Sequence, residues 1–249
     1  VSAMLSANML TVAVYAVLRF KALADRTVGA SFSGKLMVGL GLLSVAVAAV
    51  FLLVQRDYKR LFAYSSVEHI GIALIGFGVG GAGTFAAVWH LLNHAVAKST
   101  AFYASGLVLL RHEHKLLERV PGLLRQMPLA GGAILAAGVA LSGMPPFGLF
   151  VSEVLIASGA YVAEPKVAYW LLALLTLAFA TLLYQVLRMA LGEPLETGTS
   201  LGARPRAFMS AAIGFNLIAL ATIGLQVPAD CGALLVSITG IFGGAGEAP

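Results

Sequence analysis

The chain has 249 residues, 59% of them hydrophobic and only 11% charged, with a mean hydropathy of +0.92 and a formal net charge of +5. So little polar surface excludes a water-soluble globule of this length and points to a polytopic membrane protein with no room for a separate soluble domain. The positive charge is no sign of nucleic acid, because most basic residues fall in short connections between apolar runs, where membrane topology accounts for them.

A helix crossing ~30 Å of hydrocarbon needs about 20 mostly apolar residues, and seven such runs follow one another. The first, Val1 to Val17, is expected to close at Arg19 and Lys21, and the second, Leu36 to Val54, at the run QRDYKR. The third, Leu61 to Val79, ends in the glycine cluster GVGGAG, and the fourth, Thr84 to Leu110, at RHEHK. The fifth, Leu129 to Tyr161, is interrupted by SGMPPFG; the sixth covers Val167 to Leu191 and the seventh Phe208 to Leu225. A weaker stretch, Ala233 to Phe242, is too short to span and reads as an interfacial tail. Cys231, the only cysteine, excludes an internal disulfide or a cysteine metal cluster. The chain opens VSAMLSANML, with neither an initiator Met nor a basic leader, so the expectation is a cleaved or fragmentary N-terminus rather than a signal peptide.

Lys and Arg are retained on the cytoplasmic side of a membrane. The connections holding Arg56, Lys59 and Arg60, then Arg111, Lys115, Arg119 and Arg125, then Arg188, Arg204 and Arg206 share one face. The opposite face holds Arg19, Lys21, Arg26, Lys35 and Lys166. The bias makes the first face cytoplasmic, so the first helix starts inside a multi-pass protein of the inner (cell) membrane.

Ionisable side chains inside such runs need a partner, a water-filled cavity or a function. The fourth run carries three, in WHLLNHAVAKSTAF: His90, His94 and Lys98, at four-residue steps. Each step drifts by only about 40° around a helix, so the three form one stripe roughly 12 Å long. Imidazoles titrating near neutrality, followed by a desolvated lysine, suit proton relay. Plain interhelical hydrogen bonding is the blander reading. Two histidines at i and i+4 can also ligate zinc, but the lysine continuing the stripe and the lack of a cysteine or carboxylate in the same helix speak against metal. The third run contributes Glu68, as a proton-holding carboxylate or a counter-ion for Lys98, and His69, read as a packing residue. Adjacent helix positions point about 100° apart, so these two are not expected to face one partner. In the fifth run Pro145 and Pro146 break the helix, which is tolerated at membrane depth only where protein or water satisfies the freed carbonyls. Glu153, two turns beyond, has no base nearby in sequence and is a strong proton-carrier candidate, a structural counter-ion being the blander reading.

The order DYKRLFAYSSVEHIG, HLLNHAVAKSTAF, SGMPPFGLFVSEVLI resembles the C-terminal half of the antiporter-like membrane subunits of respiratory complex I, Mrp-type Na+/H+ antiporters and group 4 hydrogenases. SSVEHIG is most similar to the hydrogenase-4 and formate hydrogenlyase branch, component F type. The resemblance implies an all-α polytopic membrane bundle of about seven transmembrane helices, one of them broken, forming a single transmembrane domain over residues 1–249. These would be the second half of a fourteen-helix fold. It also implies that Lys98 matches the lysine of the HAxxK segment, that Glu153 matches the terminal proton-exit residue, and that His90 and His94 lie between them. Where many relatives place a central lysine, this chain has Thr11, with Asn8 and Ser6 nearby, so water held by these groups would bridge the gap or the central relay differs. The glutamate and lysine of the first repeat would lie upstream of Val1. Expected partners are other membrane subunits of a hydrogenase or complex I-like assembly, lipids, and protons or Na+. No cofactor is expected, because redox chemistry would belong to partner subunits. The alternatives are a Na+/H+ antiporter component and a non-catalytic seven-helix scaffold.

Overall fold

The computed structural model describes residues 2–194 and 203–225, which places Cys231 and the stretch Ala233 to Phe242 outside it. The architecture is a polytopic helical membrane bundle. Its helices are α1 (Ser2–Thr27), α2 (Ala30–Val54), α3 (Tyr58–Val79), α4 (Ala82–His112), α5 (Pro128–Leu141), α6 (Gly148–Ala163), α7 (Pro165–Leu191) and α8 (Ala203–Leu225). Helices α5 and α6 are the two halves of the interrupted run, so the described residues make seven crossings. By length and composition α1, α2, α3 and α7 each suffice to span a membrane, while α5 and α6 are shorter apolar pieces. The longest helix, α4, is not among the four, because its polar stripe dilutes its apolar character.

Several expected boundaries move. Helix α1 does not stop at Val17 but continues to Thr27, because nothing in LRFKALADRT breaks a helix before Gly29, whose φ is +96°. Arg19, Lys21 and Arg26 therefore ride on the helix, where Lys21 pairs with Asp25 one turn on at 2.8 Å. Lys35 likewise lies inside α2. Helix α3 begins earlier than Leu61 because Asp57 caps it, its carboxylate accepting from the backbone N–H of Lys59 at 2.8 Å and of Arg60 at 3.1 Å.

Helix α3 is the most enclosed of the four spans, with 61% of its apolar window buried against 28% for α1 and α7. The outer helices turn large apolar side chains outward, among them Phe20, Leu43, Val50 and Trp170, as a bilayer or a neighbouring membrane subunit requires. Antiparallel α2 and α3 meet through two glycine pairs, Gly34 with Gly78 and Gly41 with Gly71. A methyl on Gly34 would stand 2.6 Å from the Gly78 carbonyl oxygen, and one on Gly41 2.6 Å from that of Gly71. Backbones this close leave room for hydrogen alone, the device membrane helices use to pack without a hydrophobic drive.

Candidate functional site

The polar stripe of α4 faces inward. His90, His94 and Lys98 have no solvent exposure. Lys98 reaches α3, where its ammonium donates to the Phe62 carbonyl at 2.7 Å and to the Ser65 hydroxyl at 2.8 Å. Among the described residues no carboxylate lies at ion-pair distance from Lys98, so Glu68 is not its direct counter-ion. The ring nitrogens of His94 have no hydrogen-bond partner among the described residues; its ring lies against that of His69, centroids 5.2 Å apart.

His69, read from sequence as a packing residue, is the centre of the cluster. Its Nε2 is 3.0 Å from the carbonyl of Leu141, the last residue of α5. A carbonyl only accepts, so Nε2 carries the hydrogen, and one of the acceptors freed by the broken helix is satisfied from α3. Its Nδ1 lies 3.1 Å from His90 Nε2 and 3.9 Å from the Glu153 carboxylate. The packing role is real, yet the same ring joins the α4 stripe to α6. The signal was present in sequence: a proline break frees carbonyls that need a donor from a neighbouring helix. What sequence could not say was which helix neighbours which.

His90 closes the other side, its Nδ1 2.9 Å from the Ser152 hydroxyl. Ser152 also lies 2.8 Å from the Leu149 carbonyl, although it has one hydrogen to give. If His90 Nδ1 is bare, the hydroxyl can donate to it and leave Leu149. If Nδ1 carries a hydrogen, the imidazole donates to Ser152 while Ser152 donates to Leu149. The Ser152 contact accepts both forms of the ring.

Glu153 follows Ser152, its side chain 12% exposed. It borders a cavity of about 250 Å³ lined also by Glu68, Ser142, Leu172, Thr176 and Phe179. Glu68 is buried and its Oε2 has no hydrogen-bond partner among the described residues. Glu68 and His69 diverge as neighbours on a helix must: His69 lies 3.9 Å from the Glu153 carboxylate, while Glu68 shares with Glu153 only the wall of the cavity. Gly143, in the break, makes this arrangement possible. Its φ is +68°, and a side-chain carbon there would fall on the Glu153 carboxylate.

Thr11 stands apart from this cluster. Its hydroxyl is used on the Ala7 carbonyl of its own helix, at 2.8 Å. Ser6, in the π-helical turn Leu5–Met9 of α1, instead faces inward and lies 2.7 Å from the Ser66 hydroxyl. Ser66 in turn donates to the Phe62 carbonyl that receives Lys98. The polar contact from α1 toward Lys98 therefore runs through Ser6.

The chain that gathers a buried lysine, three histidines and two carboxylates across α3, α4 and α6 is similar to a known group of membrane subunits. Residues 1–181 fit the transmembrane family described as NADH:quinone oxidoreductase/Mrp antiporter. The chain belongs to this family. It is 38% identical over 195 residues to a hydrogenase-4 component F homolog of Methylacidiphilum infernorum, covering 78% of this chain and 41% of that relative. A subunit of the archaeal membrane-bound sulfane sulfur reductase superposes with a TM-score of 0.84 at 25% identity, over 95% of this chain and 48% of the other. A chain of the Mrp complex from Dietzia sp. shares the fold, with a TM-score of 0.77 at 22% identity over 97% of this chain and 52% of the other. The chain thus spans about half the length of these relatives.

Proposed function

We propose that this antiporter-like chain conducts protons within the membrane, along Lys98, His94, the His69–His90 pair and Glu153. The observation that carries the reading is the position of His69 Nδ1, at 3.1 Å from His90 and 3.9 Å from Glu153, within or near hydrogen-bond reach of both. An imidazole can take a proton at one nitrogen and release one from the other, so this ring supports transfer between the α4 stripe and the α6 carboxylate. Lys98, buried among neutral acceptors, supplies the inner end, and Ser6 with Ser66 gives a polar contact toward α1. Glu153, on a cavity whose wall includes the outward-facing Leu172 and Thr176, supplies the other end. Water fills the longer steps.

The assembly in this reading is a group 4 hydrogenase or a complex I-like respiratory complex in the inner membrane, with redox chemistry in partner subunits. The likeness to the hydrogenase-4 component F homolog supports the branch, and the basic-residue bias supports a cytoplasmic start for α1. Proton uptake by vesicles carrying the whole complex tests it: Lys98→Met and Glu153→Gln, each with assembly intact, should abolish uptake driven by the redox reaction. Uptake at the native rate in both variants would leave only a scaffold.

Two carboxylates on one cavity, Glu68 and Glu153, favour a second reading in which Na+ takes part, since hard oxygen ligands suit alkali cations. A proton flux that depends on Na+ in the same vesicles would select it.

A further inference from the structure

The polar stripe of α4 by itself offers two histidines but no carboxylate to a metal. The fold brings the missing carboxylate from α6. We infer that His69, His90 and Glu153 form a binding site for a divalent transition-metal ion of the zinc class, and that its occupation closes the proton path. Binding stands on the geometry alone, and closure rests on the proposed function.

One donor atom from each of the three residues lies within 4.8 Å of the others. In a tetrahedral zinc site with bonds of about 2.1 Å, ligand atoms stand roughly 3.4 Å apart. The separations here, 3.1 Å between His69 Nδ1 and His90 Nε2 and 3.9 Å from His69 Nδ1 to Glu153, lie on either side of that value. Small movements, chiefly of the carboxylate at the cavity edge, complete the fit. Glu68, with an unpartnered buried oxygen, lines the same cavity as Glu153.

The hydrogen bonds behind the ligands point the same way. Histidines that bind metal through one nitrogen are oriented by a hydrogen bond from the other. His69 donates from Nε2 to the Leu141 carbonyl, which leaves Nδ1 bare. For His90 to ligate through Nε2, its hydrogen must sit on Nδ1, facing Ser152. In that tautomer His90 donates to Ser152 and Ser152 donates to Leu149, so each of these contacts has its own hydrogen. These tautomers satisfy the contacts behind the two rings and leave His69 Nδ1 and His90 Nε2 facing each other at 3.1 Å with no hydrogen between them, two lone pairs whose shared partner would be a cation. Two imidazoles and one carboxylate select Zn2+, Co2+ or Ni2+ over Mg2+ and Ca2+.

Titration of the intact purified complex with CoCl2 alone, followed by visible absorption, tests the site. The expected result is one tetrahedral cobalt per chain, displaced by ZnCl2. His90→Gln and Glu153→Gln, checked for assembly and thermal stability, should each weaken binding roughly tenfold or more. His114→Gln, in the exposed connection after α4, should not change it. No cobalt spectrum, a spectrum unaffected by both ligand variants, or one lost with His114 would overturn the inference. In vesicles Zn2+ should halt proton uptake. Binding as expected with uptake unchanged would keep the site and remove the proton-path reading.

Discussion

His69 donates from Nε2 to the carbonyl of Leu141, so a side chain of α3 terminates the hydrogen-bond ladder of α5 at the point where the crossing breaks. The same ring presents Nδ1 to His90, which couples support of the break to the proposed conduction. The two roles separate by substitution. His69→Leu leaves a buried carbonyl unpaired and should lower stability by about 1–3 kcal/mol as well as stopping proton uptake. His69→Gln keeps an N–H of similar reach and should restore most of the stability without the uptake. Thermal unfolding in detergent and uptake by vesicles read the two effects.

Lys98 makes its two hydrogen bonds to neutral groups of α3, Phe62 and Ser65. Replacing buried ion pairs by well-packed apolar side chains of similar volume is often neutral or stabilising by about 1–4 kcal/mol, and among the described residues Lys98 has no ion-pair partner that its removal would strand. Lys98→Met should therefore unfold at or above the native temperature while proton uptake is lost. A marked drop in melting temperature would mean that the lysine is chiefly structural.

Gly143→Ala puts a methyl where the Glu153 carboxylate lies, at a backbone φ of +68°. The left-handed conformation alone should cost about 1–2 kcal/mol for alanine, and the displaced carboxylate should move away from His69. The expected outcome is slow proton uptake although every titratable residue is still present. Uptake at the native rate would show that the 3.9 Å contact between His69 and Glu153 does not govern conduction.

Gly41→Ala sets a methyl 2.6 Å from the Gly71 carbonyl oxygen, whereas a methyl on Gly39 meets nothing within 4 Å. The first substitution should destabilise the chain by about 1–3 kcal/mol through overpacking, and the second should be silent. Comparing their melting temperatures checks the α2–α3 interface without touching the polar cluster.

Asp57→Ala removes the cap of α3 on the basic connection. The loss should be about 1 kcal/mol, with proton uptake per assembled complex unchanged, since the cap lies well over two turns before Glu68. Yield, melting temperature and uptake distinguish this from an effect on the site.

Much of the arrangement was legible in the sequence because it is local. Three polar residues at four-residue steps must share a helix face, and two prolines between glycines must break a helix, so the inward stripe of α4 and the gap between α5 and α6 follow from periodicity and backbone chemistry. Glu153 was legible for the same reason. His69 was not, because its role depends on α3 lying between α4 and the end of α5, a tertiary fact that no spacing encodes. The place of Ser6 was hidden similarly: Ser6, Asn8 and Thr11 are one short polar patch in sequence, and only the π-helical turn decides which one faces inward. The end of α1 is not legible from its charges, because a helix end tolerates charged residues when they pair along its own surface, as Lys21 and Asp25 do.

The two glycine contacts between α2 and α3 have a mechanical consequence. Gly34 and Gly41 are seven residues apart, as are Gly71 and Gly78, so sliding one helix along the other by a turn would drive side-chain carbons into backbone oxygens. Helix α3 therefore has a single register, keyed by a helix that contributes no residue to the polar cluster. His69 lies two positions from Gly71 and is held to that key. The fixed reference for the imidazoles and the carboxylate lies outside them, and whatever moves during a working cycle must move relative to α3.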